Sequence, residues 1–286
     1  MHKKILVTGS RGMLGATLLP LLKNYDTLGI DKGNCDITNK SSLAKTIGNL
    51  KFDVVVHCAA YTDVDGAEGK TGSAFLVNEE GTRNVIESIN NKDCFFIYIS
   101  TDYVFDGNKK TAYTEEDIVN PLSIYGKSKL AGENLVAGLN KYIIIRTSWL
   151  FGPNGKNFIS TVLRLAKEKE TIEVAGDQIG SPTYTLDLAK AISDIINIYF
   201  TKGITSGIYN ITNTGFCSWA ELARYIIKEA GFKTHVAEIK SKELKRAAQR
   251  PKNSMLSKEK FKGLSGYYLP TWQKAVQHYL KNYLLN

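Results

Sequence analysis

Lys4-Ile5-Leu6-Val7-Thr8-Gly9-Ser10-Arg11-Gly12-Met13-Leu14-Gly15 decides the fold. A strand-like run leads into glycines at 9, 12 and 15, and a helix-like segment follows. The G-x-x-G-x-x-G spacing differs by one residue from the G-x-G-x-x-G fingerprint, but the physics is shared. Small residues permit a tight turn, close approach of a pyrophosphate and tight helix packing, while the start of the helix offers free N–H groups. The spacing predicts a dinucleotide cradle at Gly9, Arg11, Gly12, Met13, Leu14 and Gly15. Asp31, at the end of the second strand-like run, suits the ribose hydroxyls of NAD. Arg11 suits the 2′-phosphate of NADP instead. The expected cofactor is therefore NADPH or NADH, and the residues do not choose between them.

Outward from this stretch, β-rich runs at 4–8, 27–30, 53–57, 94–100 and 141–147 alternate with helix-like segments. Val54-Val55-Val56, Phe95-Phe96-Ile97 and Ile143-Ile144-Ile145 are apolar without break, as in strands covered on both faces. The expectation is an α/β fold: a Rossmann-type doubly wound parallel sheet over residues 1–150, with 182–212 returning to it. A smaller C-terminal α/β lobe, mainly 151–286, would bind the substrate. Ser218-Trp219-Ala220-Glu221 has capping-box spacing and predicts a helix running to about Gly231.

Composition narrows the function. The chain has 286 residues, 43 % hydrophobic and 23 % charged, values of an ordinary globular protein. No run approaches the roughly 20 apolar residues of a membrane span. Ile5-Leu6-Val7 is too short for a secretory apolar core. Cys35, Cys58, Cys94 and Cys217 form no CxxC pair and have no His at metal-ligand spacing, so they read as reduced thiols in the cytoplasm. Net charge is +9, and 233–262 carries ten Lys/Arg against Glu238, Glu243 and Glu259. Such a region suits a phosphate-bearing partner, polynucleotide or small phosphorylated substrate. No recognised nucleic-acid module is present, and no nucleic-acid partner is expected.

Two further groups carry chemistry. Tyr125 and Lys129 fall one turn apart on a helix expected to begin near Pro121. A neighbouring ammonium favours the phenolate, which would bring the phenol towards a useful acid–base range. Ser100 and Thr101 close the fourth strand, where ligands sit in open α/β sheets, and the Thr101 hydroxyl is placed to meet a substrate carbonyl. Gly126-Lys127-Ser128 imitates a P-loop ending, but Pro121 stands where that motif needs glycine.

With these residues in order, the chain resembles the extended short-chain dehydrogenase/reductase family, and within it the dTDP-4-dehydrorhamnose reductases. The resemblance runs nearly end to end. Its blocks are Cys58-Ala59-Ala60-Tyr61-Thr62-Asp63-Val64-Asp65 with Ala67-Glu68, Val77-Asn78 with Gly81-Thr82, and residues 100–107. Arg146-Thr147-Ser148-Trp149, Asp177-Gln178 with Gly180-Ser181-Pro182-Thr183, and Arg250-Pro251 with Asn253-Ser254 complete them. The resemblance implies Thr101, Tyr125 and Lys129 as the catalytic set. It implies Asp36, Ile37, Cys58, Ala59, Ala60, Thr62, Asn78 and Ser100 on the cofactor side, with Tyr125 and Lys129 also meeting the cofactor. Val64, Thr101, Asp102, Tyr103, Trp149, Asn157, Gln178 and Arg250 should meet the substrate, a dTDP-sugar.

The implied reaction reduces the C4 keto group of dTDP-4-dehydro-6-deoxy-L-mannose to dTDP-L-rhamnose, the last step of dTDP-rhamnose biosynthesis for cell-envelope polysaccharide. Tyr103 stands where the related 4,6-dehydratases carry a glutamate, so dehydration lacks its carboxylate. Two alternatives remain: another nucleotide-activated deoxy-ketohexose, or a non-catalytic regulatory subunit on this fold. Ala16 and Thr17 supply no carboxylate, so the metal bridge that pairs some relatives is not expected, and a homodimer would use other surfaces.

Overall fold

The computed structural model describes residues 3–89, 91 and 93–283. The main sheet takes β1 (Lys4–Thr8), β2 (Asp26–Ile30), β3 (Val54–His57), β4 (Phe95–Thr101), β5 (Tyr142–Thr147) and a late strand, Gly207–Asn210. They lie in the order Gly207–Asn210, β5, β4, β3, β1, β2, and every neighbouring pair is parallel. Strand side chains alternate between faces, and both faces here are covered. Ile5, Val7, Val54, Val56, Ile97, Ile143 and Ile145 join one apolar cluster, while Leu6, Val55, Phe96, Tyr98 and Ile144 join another. That double burial is why these strands carry no polar alternation. The doubly wound parallel sheet expected from the sequence is the fold observed.

From β1 the chain crosses to β2 on one side and then to β3 on the other. The strand order reverses there, opening a crevice at the carboxyl ends of β1 and β3, and the glycine loop follows β1 directly. The Thr185–Lys202 helix packs into the first cluster through Leu188, Ile192 and Ile195 and leads into the Gly207–Asn210 strand beside β5.

Residues beyond β5 build a second core. The Phe158–Glu168, Trp219–Glu229 and Trp272–Tyr283 helices surround the parallel pair Thr171–Ala175 and His235–Ile239, burying Ile159, Val162, Ile226 and Val276. The capping box read from the sequence is formed: Glu221 N donates to Ser218 Oγ (3.0 Å) and Ser218 N to the Glu221 carboxylate (2.7 Å). Among the described residues no helix is long and apolar enough to cross a membrane.

Candidate active site

A cleft of about 1040 Å³ opens over the carboxyl ends of the sheet. Its floor is the glycine loop. Gly9 has φ +64°, a left-handed conformation that favours glycine, and a Cβ there would stand 2.7 Å from Ala59 N. A Cβ at Gly15 would stand 2.2 Å from Gly9 O. The loop therefore presents bare backbone, which is what a pyrophosphate needs in order to approach, and the residues fit a dinucleotide. Thr8 sits beneath: its hydroxyl accepts from Ala59 N (3.1 Å) and bonds His57 Nδ1 (2.7 Å). Burial holds the His57 imidazole down at about 3, so it remains neutral at neutral pH.

The structure places Gly12, Met13 and Leu14 with Gly9 and Gly15 in the cleft wall, and beside them Asp31, Asp36, Ile37, Cys58, Ala59, Ala60 and Thr62. Asp31 accepts a hydrogen bond from Arg11 N (3.2 Å). The exposed Arg11 side chain lies over Gly33, outside the wall itself. Ser100, Thr101, Asp102, Tyr125, Lys129 and Trp149 line the other end.

The helix carrying Tyr125 and Lys129 spans Ile124–Ala137. It starts later than Pro121 suggests, because Ser123 is the cap: its Oγ accepts from Gly126 N (3.1 Å), and Glu68 accepts from Ile124 N (2.8 Å). Thr101 Oγ1 donates to Asp102 Oδ1 (3.0 Å) and accepts from Tyr103 N (3.2 Å). Burial pushes the Tyr125 phenol up to about 12; the Thr101 hydroxyl opposes this and the Asp102 charge adds to it. The downward shift expected from Lys129 is not found: burial of the phenolate raises the phenol instead. Tyr125 thus stands protonated at neutral pH, the state a proton donor requires. Burial brings Lys129 down to about 7, opposed by Glu133, and its Nζ lies 4.1 Å from the Tyr98 ring centroid. Burial also lifts the Asp102 carboxyl to about 7, against hydroxyls of Ser254 and Thr101.

Several expected contacts lie outside the wall. Asn78 is buried and engaged: its amide accepts from Tyr61 N (2.8 Å) and donates to Tyr61 O (3.1 Å) and Ser128 Oγ (2.9 Å). It braces the Tyr61 loop against the Ile124–Ala137 helix and lies behind the cleft wall. Asn157 caps the Phe158–Glu168 helix, accepting from Ser160 N (3.0 Å) and donating to Gly152 O (2.9 Å) and Tyr279 OH (3.1 Å). Its amide ties the start of that helix to Gly152 and Tyr279. Arg250 forks onto Asp65 (3.0 and 2.8 Å). The Tyr103 ring meets the Tyr125 ring edge-on, with centroids 5.9 Å apart. Val64 begins the Val64–Gly69 helix, and Gln178 is buried just before the Ile179–Gly180 strand.

Residues to which the sequence gives no role include Lys32, Lys70, Ser73 and Lys156 in the wall, and Glu133 with Arg146 behind it. Arg146 had a signal: a charge closing the apolar Ile143-Ile144-Ile145 run of a doubly covered strand demands a partner. Lys32, Lys70 and Lys156 had none, because surface lysines abound.

A protonated phenol, a strand-end hydroxyl and a buried lysine share the cleft with a bare glycine loop, and the class this fold and cleft define is the extended short-chain dehydrogenase/reductases. Within that class the chain belongs to the dTDP-4-dehydrorhamnose reductase family, whose RmlD substrate binding domain model matches residues 3–285. It is 39 % identical to dTDP-4-dehydrorhamnose reductase of Aggregatibacter actinomycetemcomitans, over 96 % of this chain and 97 % of that protein. It is 37 % identical to the spore coat polysaccharide biosynthesis protein SpsK of Bacillus subtilis, over 97 % of each. The crystal structure of dTDP-4-dehydrorhamnose reductase from Bacillus anthracis in complex with NADP superposes with a TM-score of 0.91 at 39 % identity, covering 98 % of this chain and 99 % of that one.

Proposed function

We propose that the chain reduces the C4 keto group of dTDP-4-dehydro-6-deoxy-L-mannose to dTDP-L-rhamnose, using NADPH or NADH. The observation that carries this reading is that Thr101, Tyr125 and Lys129 line the same cleft as the glycine cradle, in a chain of the reductase family.

Gly9, Gly12 and Gly15 would hold the pyrophosphate, Asp31 and Arg11 the adenosine ribose, and Lys129 the nicotinamide ribose. When bound, the dihydronicotinamide supplies the hydride. Tyr125 donates its proton to the ketone oxygen as negative charge develops there, and the Thr101 hydroxyl steadies that oxygen. Residues 1–150 with 182–212 form the cofactor domain in this reading, and 151–286 mainly the sugar-nucleotide domain. Trp149, Asp102, Tyr103 and Arg250 surround the sugar nucleotide, Arg250 after exchanging its bond to Asp65.

The test is oxidation of NADPH and of NADH with dTDP-6-deoxy-L-lyxo-4-hexulose, for wild type and Tyr125→Phe. Wild type turns over, and the variant loses roughly 10²–10⁴-fold in kcat while still binding cofactor. A wild-type enzyme that bound cofactor but oxidised neither would overturn the substrate, and near-normal turnover by Tyr125→Phe would overturn the proton donor.

A further inference from the structure

Behind the catalytic helix lies a buried ion pair that the reaction does not itself use. Glu133 and Arg146 are each 3 % exposed. Arg146 Nε and Nη2 donate to the two carboxylate oxygens of Glu133 (3.0 and 2.8 Å), and Ser100, the neighbour of Thr101, donates its hydroxyl to the same carboxylate. The Arg146 guanidinium lies over the Phe105 ring, 5.1 Å from its centroid. Glu133 thus ties the catalytic helix to β4 and β5 at once. Replacing such a pair by well-packed apolar residues is often neutral or stabilising, so fold stability alone is a weak reason for it.

The position of Glu133 supplies a stronger one. It follows Lys129 by one helical turn, on the same face. The groups facing Lys129 are Glu133 and Tyr125 on its own helix, Tyr98 from β4, and His57 and Cys58 at the end of β3. Burial keeps the phenol of Tyr98, the phenol of Tyr125, the thiol of Cys58 and the imidazole of His57 uncharged at neutral pH. Glu133, which accepts both hydrogen bonds of the Arg146 guanidinium, is the counter-charge among them.

We propose that Glu133 is a positioning residue for Lys129: anchored by Arg146 and Ser100, it is the buried negative charge that holds the Lys129 ammonium against burial where the cofactor ribose is held. This rests on the dinucleotide reading of the cleft given above. Burial and Glu133 pull the Lys129 equilibrium in opposite directions, so loss of the carboxylate charge removes the larger opposition to burial and makes the lysine neutral at lower pH.

The experiment is NADH binding, followed by fluorescence from pH 5 to 9, with no sugar nucleotide present. NADH carries no phosphomonoester, so no phosphate of the kind that titrates near pH 6 is involved. Four variants accompany the wild type: Glu133→Gln, Glu133→Asp, Lys129→Met and the charge-free pair Glu133→Gln/Arg146→Met. The double variant leaves no unpaired buried charge and guards against misfolding of Glu133→Gln alone. Wild-type affinity falls as pH rises through the Lys129 equilibrium, and Lys129→Met abolishes that fall. In Glu133→Gln and in the double variant the fall comes about one pH unit or more earlier, the size of a lost charge at this range; Glu133→Asp restores it. A double variant that melts like wild type and loses NADH at the wild-type pH overturns the proposal, as does a fall that survives in Lys129→Met. A wild type that binds neither NADH nor NADPH at any pH overturns the dinucleotide reading instead.

Discussion

Trp149 lies flat against Trp219, with ring centroids 3.4 Å apart and planes 6° from parallel. Trp149 follows β5 and lines the cleft, while Trp219 begins a helix of the second core. Trp149 holds φ at +48°, a left-handed conformation that a bulky residue adopts only when its surroundings insist. Gly180 allows the packing, since a Cβ there would stand 2.5 Å from the Trp149 ring. Strain of this kind at a cleft residue marks a position fixed for use rather than for stability. Trp219→Ala removes the stack and is expected to cost about 1 kcal/mol or more of stability. It should also raise KM for the sugar nucleotide while leaving NADPH affinity within about two-fold. Thermal melting and separate binding titrations check both; equal loss of both ligands would mean that the stack supports the whole cleft.

Asp102→Asn should stabilise the protein, and more so in alkali than in acid. The folded carboxyl titrates at about 7, above its unfolded range. The native state therefore binds the extra proton between the two values, and wild-type stability falls as pH rises from about 4 towards 7. At pH 5 the wild-type side chain is already neutral, like asparagine. At pH 9 it is an ionised group under burial, and the variant should gain up to a few kcal/mol there. Melting temperatures at pH 5 and pH 9 decide; a gain independent of pH would refute the sign.

Gly15→Ala forces a methyl against Gly9 O. The glycine loop has to shift, at a cost of roughly 1–3 kcal/mol for overpacking. Cofactor affinity should fall by at least ten-fold, read by equilibrium titration, with the sugar-nucleotide end less affected.

Arg250 is 9 % exposed and its partner Asp65 is 41 % exposed, so the pair is half screened by solvent. A double-mutant cycle of Asp65→Asn and Arg250→Gln on thermal stability should give a coupling near about 1 kcal/mol, characteristic of a partly exposed pair. If Arg250 moves to the substrate, Asp65→Asn leaves it free and lowers KM for the sugar nucleotide. An unchanged KM would keep Arg250 as a structural tie.

The parallel sheet was legible because each strand is buried on both faces, which leaves an unbroken apolar run with no competing period. The glycine loop was legible because its backbone conformation and clearances admit few alternatives. Asn78 and Asn157 show where such reading ends. The resemblance puts both at a ligand, whereas in the fold the Asn78 amide meets Tyr61 and Ser128 and the Asn157 amide meets Gly152, Ser160 and Tyr279. An asparagine carries two donors and an acceptor wherever it stands, and only the fold says which neighbours consume them. Glu133 was missed for the opposite reason: on a helix it looks like a solvent-facing acid until β5 delivers Arg146 to it.

The strand Gly207–Asn210 lies beside β5 although fifty-nine residues separate the end of one from the start of the other. During synthesis the edge of β5 must wait for that partner, at roughly 5–20 residues per second for about several seconds. An unpaired apolar strand edge is a template for the wrong neighbour. The growing chain is thus most prone to aggregate after residue 147 and before residue 210 has left the ribosome. Slow translation or a pause within that window should lower the yield of soluble protein even though no residue of the finished molecule has changed.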